Sequence, residues 1–430
     1  MIINTAKSLA MAFGLLLLTG PADALDKADL ILSSNHVVLM TGEQKSQPLA
    51  IAITNQRIVW IGSHMEAKNI KGKHVNYGEQ SILPGFIDAH GHASYLAFAT
   101  QVANLASPPV GSVKTMQELQ EQLKSFIKEK ELAPGEWVIG LGYDDSLLKE
   151  QRHPTKQDLD AVSTVNPIYL IHVSSHLGAA NSLGLSLANI TQDSIDPPGG
   201  KIRRMKGSQE PNGVFEETAA YPLQKLAMTS YKDPLGSVKE AMKIYASNGI
   251  TTAQDGASSP ESIALMRAAD AQGLLNLDVI TYPIGQVDAG ALIDSTVFGE
   301  YQGRLKVGGI KLILDGSPQG KTAYLTQPYF MPPHGQEADY KGYPLIPQEA
   351  ASEFVKTYSE AGIPIMAHAN GDAAADMLIR SIEDAKTTSD HRTIMIHAQT
   401  VREDQLDQMK QLGIIPSYFS THTFYWGDWH

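Results

Sequence analysis

The chain has 430 residues, of which 43% are hydrophobic and 19% are charged, and its formal net charge at pH 7 is −12. This composition is typical of a globular protein with enough apolar residues for a large core. Acidic and basic residues are interspersed, so no nucleic-acid-binding surface is indicated. The absence of cysteine excludes disulfide bonds, thiolate metal ligands and a cysteine nucleophile. Any metal ion would be held by histidine, oxygen ligands or a modified lysine.

The first 24 residues have the pattern of a secretory signal peptide. Lys7 provides a positive charge, residues 9–18 are almost continuously apolar, and Ala22-Asp23-Ala24 fits an A-x-A cleavage site. The apolar run is short for a membrane-spanning helix, and an uncleaved anchor helix is the alternative. We therefore predict a periplasmic or secreted protein that starts near Leu25 and keeps no stable membrane anchor.

Residues 25–81 predict a small β module. Four apolar runs in this stretch are separated by Gly, Asn and Pro, which is typical of short strands joined by turns. The runs lie at 28–32, 36–39, 50–53 and 57–61. We interpret this module as a β-sandwich.

Residues 82–430 predict an α/β fold of the TIM type. Apolar strands begin near residues 86, 250, 277, 309, 363, 393 and 414, with helices predicted at 348–361, 373–385 and 402–412. Strands that alternate with helices through short glycine turns are typical of a parallel sheet. Because a (β/α)8 barrel closes with eight strands, seven strands predict a barrel truncated before strand eight. An open doubly wound sheet is the alternative.

Residues 95–235 interrupt this rhythm after the first strand. A helix is predicted at 115–131, where Thr115 and Glu118 have the spacing of a capping box. Apolar strands are predicted at 137–139 and 168–171. We interpret the stretch as a large insertion with its own fold.

Four histidines fall at the carboxyl ends of predicted strands, where barrel enzymes keep their active sites. His90 and His92 follow the first strand, His368 ends the fifth and His397 ends the sixth. Residues two apart on a strand point the same way, so the first pair can reach one ion. A single histidine is more often a core or surface residue. Their recurrence at equivalent strand ends nevertheless favours a metal site.

Lys311 lies inside the apolar fourth strand. Burying an ammonium group is costly, and a buried lysine readily loses its proton. The neutral amine can add carbon dioxide, and the resulting carbamate can bridge two divalent ions. The alternative is an ion pair with Asp315 or another acid.

A set of motifs carries a family resemblance. They are LPGFIDAHGH at 83–92, GIK at 309–311 with DGS at 315–317, AHANGD at 367–372, IHAQ at 396–399 and THTFYWGD at 421–428. With these motifs the sequence resembles the amidohydrolase superfamily, and within it the amidohydrolase-3 group of N-substituted formamide deformylase-like metal-dependent hydrolases. The resemblance covers nearly all of the mature chain, and its motifs are far more specific for the family than for the substrate.

The resemblance implies a binuclear zinc centre. His90 and His92 would bind one ion, His368 and His397 a second, and carboxylated Lys311 would bridge them. It also implies a hydroxide held by the metals that attacks an amide-like bond of a small molecule. An aspartate at the end of strand eight would pass the proton to the leaving nitrogen.

Two features of the family pattern are expected beyond His430. They are that aspartate, since Asp428 lies too early for the role, and the strands that a C-terminal segment adds to the β module. No catalytic residue is therefore assigned within the chain. We expect this polypeptide by itself to be inactive or unstable.

Two residues of the insertion are predicted to line the substrate cleft. They are Tyr143 in Gly-Tyr-Asp-Asp and His176 in Ser-Ser-His. Local hydrogen bonding within loops is the alternative. Two other functions stay open for the whole chain. It could be a non-catalytic regulatory or binding protein that keeps the fold, or a hydrolase of esters or phosphoesters, because metal-activated water is permissive.

Overall fold

The structure, a computed structural model, describes residues 25–41, 47–228, 232–285, 289–333, 336–387 and 390–427. The predicted signal peptide at 1–24 lies outside these residues. Across the described ranges, no helix is both long and apolar enough to cross a membrane. Internal contacts divide the chain into two units, Met1–Phe86 and Ile87–His430.

The first unit is built on a five-stranded sheet. Its elements are β1 (Lys27–Val37), β2 (Gln47–Thr54), β3 (Arg57–Gly62), α1 (His64–Ala67), β4 (Lys71–Asn76) and β5 (Ser81–Ile82). The sheet order is β3-β2-β1-β4, and β5 also pairs with β1. Ile31, Trp60 and Ile70 are buried in its core. The second sheet that would make this module a sandwich stays a prediction.

The first two predicted strands of this unit form one strand, β1. Its pairing with β2 shifts register between Ser34 and Val37. Ser34 is fully buried, and its hydroxyl donates to the carbonyl of Gly78 at 3.2 Å. The polar stretch that suggests a turn therefore continues the sheet, because its buried hydroxyl has a partner.

The second unit contains a separate sheet within the predicted insertion. After β6 (Phe86–Ile87) and α2 (Ala93–Ala99), its elements are β7 (Ala103–Asn104), α3 (Met116–Glu129), β8 (Val138–Tyr143), α4 (Lys156–Asp160), β9 (Ile168–His172), β10 (Leu177–Ala180), α5 (Ser182–Leu187), β11 (Gly200–Arg204), β12 (Pro211–Glu217) and α6 (Tyr221–Met228). The six strands have the order β11-β12-β10-β9-β8-β7. The predicted helix and both predicted strands of the insertion are confirmed.

The cap of α3 differs in one detail from the predicted capping box. The Thr115 hydroxyl accepts from the Glu118 amide at 3.1 Å. The Glu118 carboxylate accepts from the Lys114 amide at 2.7 Å rather than from Thr115. The Thr115 hydroxyl thus satisfies an amide that the first helical turn leaves open, and Glu118 binds the chain just before the cap.

The remaining elements alternate between helix and strand. They are α7 (Pro234–Ser247), β13 (Ile250–Ser258), α8 (Pro260–Ala271), β14 (Asp278–Pro283), α9 (Ala289–Ser295), β15 (Tyr301–Gln302), β16 (Leu305–Val307), β17 (Ile310–Ile313), α10 (Gln348–Glu360), β18 (Ile365–Ala369), α11 (Asp372–Ala385), β19 (Ile394–His397), α12 (Glu403–Leu412), β20 (Ile415–Tyr418) and α13 (Thr421–Trp426). Each of the seven predicted barrel strands is present, as β6, β13, β14, β17, β18, β19 and β20.

These strands form two sheets of the orders β15-β16-β14-β13-β6 and β17-β18-β19-β20. The second sheet is parallel throughout. A parallel bridge between Ile284 and Lys311 places β17 beside the end of β14, and the Gly285 amide donates to the Lys311 carbonyl at 3.0 Å. The seven strands thus follow one another in chain order. The fold is mixed α/β, and closure into an eight-stranded barrel stays a prediction.

The core beside β17, β18 and β19 is apolar and fully buried. Leu312, Val355, Leu378 and Met395 are all 0% exposed within it. Helices α10 and α11 bury one apolar face against these strands, as expected of an amphipathic helix that covers a sheet.

We expect Leu378→Ala to lower the free energy of unfolding by about 2–5 kcal/mol, because it removes buried methyl groups and leaves a cavity. Leu406→Ala on α12 is the matched control, since Leu406 is 38% exposed and the change in helix propensity is the same. Urea unfolding followed by circular dichroism measures both. Equal destabilisation by the two substitutions would contradict the placement of α11 in the core.

Candidate metal centre

His90 and His92 lie between β6 and α2, with their ring centroids 5.0 Å apart. His92 forms an isolated antiparallel bridge with Asp255 on β13. The buried Asp255 carboxylate accepts from the Ser94 amide at 3.1 Å and from the Ser94 hydroxyl at 2.8 Å. Burial raises the pKa of this carboxyl group. These bonds fix the start of α2 and thereby the segment that carries both imidazoles.

The orientation of His90 is set by its neighbours on β13. Its Nδ1 lies 2.7 Å from Gln254 Oε1, and Gln254 Nε2 donates to the Ala89 carbonyl at 3.2 Å. The amide oxygen therefore faces the imidazole, and Nδ1 carries the proton. His90 Nε2 is buried and has no hydrogen-bond partner among the described residues. A lone pair is thus available at Nε2.

Gly256 leaves the space that this ring occupies. A Cβ at this position would lie 2.6 Å from His90 Cε1 and 3.0 Å from His90 Nδ1. Such distances are far inside van der Waals contact. β13 therefore requires glycine at position 256, where the His90 ring lies against the strand.

His368 and His397 end neighbouring parallel strands, β18 and β19. Their ring centroids are 4.7 Å apart, and the His397 ring lies 5.5 Å from that of His90. His397 has φ 72° and Ala398 has φ 48°. Two consecutive residues other than glycine in the left-handed region store backbone strain, which is common where a side chain is held for function.

His368 is also held by a polar contact. Its Nε2 lies 2.9 Å from the Gly316 carbonyl, so this nitrogen donates. The proton on Nε2 leaves Nδ1 as the nitrogen with a lone pair. Metal-binding histidines commonly use one nitrogen in this way to orient the other.

Lys311 lies on β17 with only 2% of its surface exposed. Burial lowers its pKa from 10.5 to about 7. Its charge contributes, after burial, to the lowered pKa of His90 and of His368, and it contributes to the same shift at His92 and His397. The amine is thus near enough to all four imidazoles for its charge to act on them, although these residues are spread along more than three hundred positions of the chain.

Asp315 is not the partner of this lysine. It is fully buried, and its carboxylate accepts from the amides of Tyr324 at 3.0 Å, Asn370 at 3.0 Å and Gly371 at 2.8 Å. Among the described residues, no carboxylate lies within 4.0 Å of the Lys311 amine, and burial alone accounts for its pKa. Asp315 instead fastens the loop after β17 to the end of β18.

The electrostatics of the cluster favour neutral donors. Burial is the largest cause that lowers the pKa of His90 to about 4 and that of His92 to about 3. Burial likewise lowers the pKa of His368 and of His397 well below the ordinary value. Neutral imidazole is the form that ligates metals. With the free Nε2 of His90, this donor set fits divalent zinc, which accepts nitrogen and oxygen ligands.

A second group of possible metal ligands lies in the inserted sheet. Asp144, Asp145 and His172 bring one ligand atom each within 4.8 Å of one another. Asp145 lies 3.0 Å from His172 Nε2 and 3.4 Å from His153 Nε2. Asp144 accepts from the hydroxyl of Ser146 at 2.6 Å and, at 3.1 Å, from the indole of a residue on α13, Trp426. These acids are largely engaged by protein donors.

The two predicted cleft residues occupy different surroundings. Tyr143 is fully buried, and its hydroxyl lies 3.2 Å from His153 Nδ1. His176 Nδ1 lies 2.9 Å from Glu217 Oε2. Contact of either residue with a substrate stays a prediction.

The residues that orient the cluster were not predicted from the sequence. Gln254 and Asp255 lie in β13, directly after the stretch 250–253 that was predicted as a strand, and a polar pair at the end of a predicted strand is the signal that could have identified them. Glu217 could not be identified in this way, because its partner His176 lies forty-one residues earlier in the chain.

The sequence profile of the amidohydrolase family matches residues 78–430. The chain belongs to the amidohydrolase family.

Relatives of the chain include proteins of different roles. The chain is 27% identical to the N-substituted formamide deformylase of Arthrobacter pascens over 416 residues. This alignment covers 93% of the chain and 74% of that protein. It is 25% identical to the exoenzymes regulatory protein of Pectobacterium carotovorum subsp. carotovorum, over 84% of this chain and 78% of that protein. An uncharacterised metal-dependent hydrolase of Pyrococcus horikoshii OT3 shares the amidohydrolase fold, with a TM-score of 0.69 and 22% identity over 93% and 76% of the two chains.

We expect Lys311 to leave a signature in the stability of the metal-free protein. Because its pKa is lowered from 10.5 to about 7 on folding, the unfolded chain binds more protons between those two pH values. The free energy of unfolding therefore gains an increasing contribution as pH rises from 7 to 10.5. Lys311→Met removes this contribution.

Urea unfolding at a series of pH values measures the effect, as wild type minus variant. Lys356→Met, at an exposed position, is the control and should leave the pH dependence unchanged. Parallel curves for wild type and Lys311→Met across this window would contradict the burial of a lysine of lowered pKa.

Proposed function

We propose that this chain carries the metal centre of a metal-dependent hydrolase that acts on non-peptide carbon–nitrogen bonds of amide-like small molecules. The observation that carries the proposal is the gathering of four imidazoles, all with lowered pKa, around the buried Lys311 amine. Membership of the amidohydrolase family supports hydrolysis. The likeness to an N-substituted formamide deformylase supports an amide-like bond.

In this proposal His90 and His92 would hold one zinc ion, His368 and His397 would hold a second, and Lys311 as a carbamate would contribute an anionic ligand. The lowered pKa of Lys311 provides a neutral amine at neutral pH. Its nitrogen adds to the carbon of carbon dioxide, one C=O bond pair moves to oxygen, and the nitrogen releases a proton. The product carries one negative charge, which the divalent ions would compensate inside the apolar strand.

A bound zinc ion supplies an activated water at neutral pH, because it lowers the pKa of that water to near 7. The residues of this chain hold the ligands in place beforehand. Gln254 orients His90, and the Gly316 carbonyl orients His368. Such neighbours commonly raise metal affinity by about 10–100-fold. The proposal also requires an acid that protonates the leaving nitrogen, and from the family resemblance we expect an aspartate at the end of an eighth strand.

A regulatory role without catalysis is the second candidate. It is favoured by the relative named as an exoenzymes regulatory protein, which matches 84% of this chain. The two candidates differ in one measurable property, since regulation would not require the ligand set to hold metal.

We further propose that the protein acts in the periplasm or outside the cell. The support is the sequence of residues 1–24, where an apolar run precedes Ala-Asp-Ala. Export would present the site to small molecules before they enter the cytoplasm.

We expect roughly two equivalents of zinc per full-length chain, as in binuclear hydrolases. His90→Ala and Lys311→Ala should each remove at least one equivalent, because each deletes a proposed ligand. Inductively coupled plasma mass spectrometry after dialysis measures the content. His36→Ala is the matched control, since His36 has 42% of its side chain exposed and contacts Glu79. A folded chain with no metal would favour the regulatory candidate.

A substrate panel tests the bond type. We expect zinc-loaded protein to hydrolyse N-substituted formamides with a kcat/KM at least about 10-fold above that for the matched formate esters, which corresponds to about 1.4 kcal/mol in the barrier. Release of formate is the measurement. Faster hydrolysis of the esters would overturn the amide assignment and leave metal-dependent hydrolysis intact.

A further inference from the structure

A polar pocket lies between the inserted sheet and the loop that follows β17. Its volume is about 340 Å³, enough for a small organic group. One wall comes from β11 and β12, and the other from residues after Ser317. The side chains used below are Arg203, Glu216, Glu217, Tyr340 and Tyr343.

Glu217 lines this pocket, and one of its two carboxylate oxygens has no hydrogen-bond partner among the described residues. The residue is 7% exposed. Its Oε2 contacts His176 Nδ1 at 2.9 Å, whereas Oε1 is buried and has no hydrogen-bond partner among the described residues. A buried acceptor without a partner destabilises the folded state, and more so when it is charged. Native proteins rarely keep such an atom without a use for it.

The backbone at Glu217 is strained as well. Its φ is 49° and its ψ is −126°, a combination that residues other than glycine rarely adopt. The strained backbone and the unpaired buried oxygen Oε1 thus belong to the same residue, the last one of β12. Structures keep such strain where the position of a side chain matters.

The neighbours of Glu217 indicate which ligand group fits. Arg203 does not neutralise it, because its Nε donates to Glu216 at 2.6 Å. Tyr340 and Tyr343 line the same pocket. Burial is the largest cause of the raised pKa of both phenols, and the charges of Glu216 and Glu217 add to it. A carboxylate oxygen needs an N–H or O–H donor, charged donors bind it most strongly, and aromatic rings also attract cations.

The pocket adjoins the candidate metal centre. The loop that forms its second wall starts at Asp315, four residues after Lys311, and Leu345 closes it by donating to the Leu314 carbonyl at 2.8 Å. Thr322 lines the pocket, and its carbonyl accepts from the Gly316 amide at 3.3 Å. The Gly316 carbonyl in turn lies 2.9 Å from His368 Nε2. A group seated in the pocket would therefore belong to a molecule whose other end reaches the centre.

We propose that Glu217 anchors a substrate subsite that takes an ammonium group, with Tyr340 and Tyr343 as its aromatic walls. The proposal rests on the proposed hydrolase function and adds a substrate class to it. The substrates are amides that carry a primary amine a few bonds from the bond that is cleaved. The inserted sheet thus selects the substrate, while the strands that carry the histidines supply the chemistry.

Two probes that differ only at one end test the subsite. They are N-(4-aminobutyl)methanesulfonamide and N-pentylmethanesulfonamide, which resist hydrolysis and carry a terminal ammonium or a terminal methyl group. Isothermal titration of the zinc-loaded full chain should show at least about 10-fold tighter binding of the ammonium probe, as expected for a charge-assisted hydrogen bond. Glu217→Gln should reduce that ratio to near 1.

Glu216→Gln is the matched control, because Glu216 is already paired with Arg203, and it should keep most of the ratio. Tyr343→Leu should lower the ratio several-fold, and it keeps the test decisive if Glu217→Gln does not fold. Equal affinity of wild type for the two probes, no binding of either, or an unchanged ratio in Glu217→Gln would overturn the proposal.

The test also separates this proposal from the proposed function. Selective binding of the ammonium probe by a protein that hydrolyses no amide would keep the subsite and reject the hydrolase. Hydrolysis of simple formamides without any selectivity for the ammonium probe would do the reverse.

Discussion

The burial of the Lys311 amine determines which charges the rest of the site can carry. Lys311 has its side chain in an apolar strand, and no carboxylate of the described residues pairs with it. Such a group is tolerated only if it is neutral or its charge is compensated. Four imidazoles in the same low-dielectric space cannot compensate a cation, and each is itself disfavoured as a cation there. A neutral, nucleophilic amine among neutral nitrogen donors follows from these facts.

The positions of these five residues follow from a rule that the sequence can show. Carboxyl ends of neighbouring parallel strands lie at the same edge of a sheet, so His368 and His397 at the ends of β18 and β19 had to meet. The regular alternation after residue 237 made those strands readable. The contacts of the residues that orient the donors could not be predicted, because Gln254 meets His90 across 164 residues of chain, and a contact between such distant residues leaves no pattern in the sequence.

The insertion was harder to interpret for the same reason. Its strands were recognisable in part, yet its antiparallel hairpin β11–β12 and the pairing of His176 with Glu217 depend on tertiary contacts. The two proposed parts of the site differ in the same way. The donors come from strand ends that the fold dictates, whereas the pocket beside them comes from an inserted sheet whose side chains can vary without disturbing the donors. This division explains why motifs identify the family far better than the substrate.

Anomalous diffraction at the zinc edge from crystals of the zinc-loaded protein tests the central claim most directly. The claim that His90, His92, Lys311, His368 and His397 form the metal centre predicts anomalous peaks within about 2.0–2.3 Å of their donor atoms, with density for a carboxylated lysine between them. A sole peak at Asp144, Asp145 and His172, or no peak in a well-ordered crystal, would contradict it.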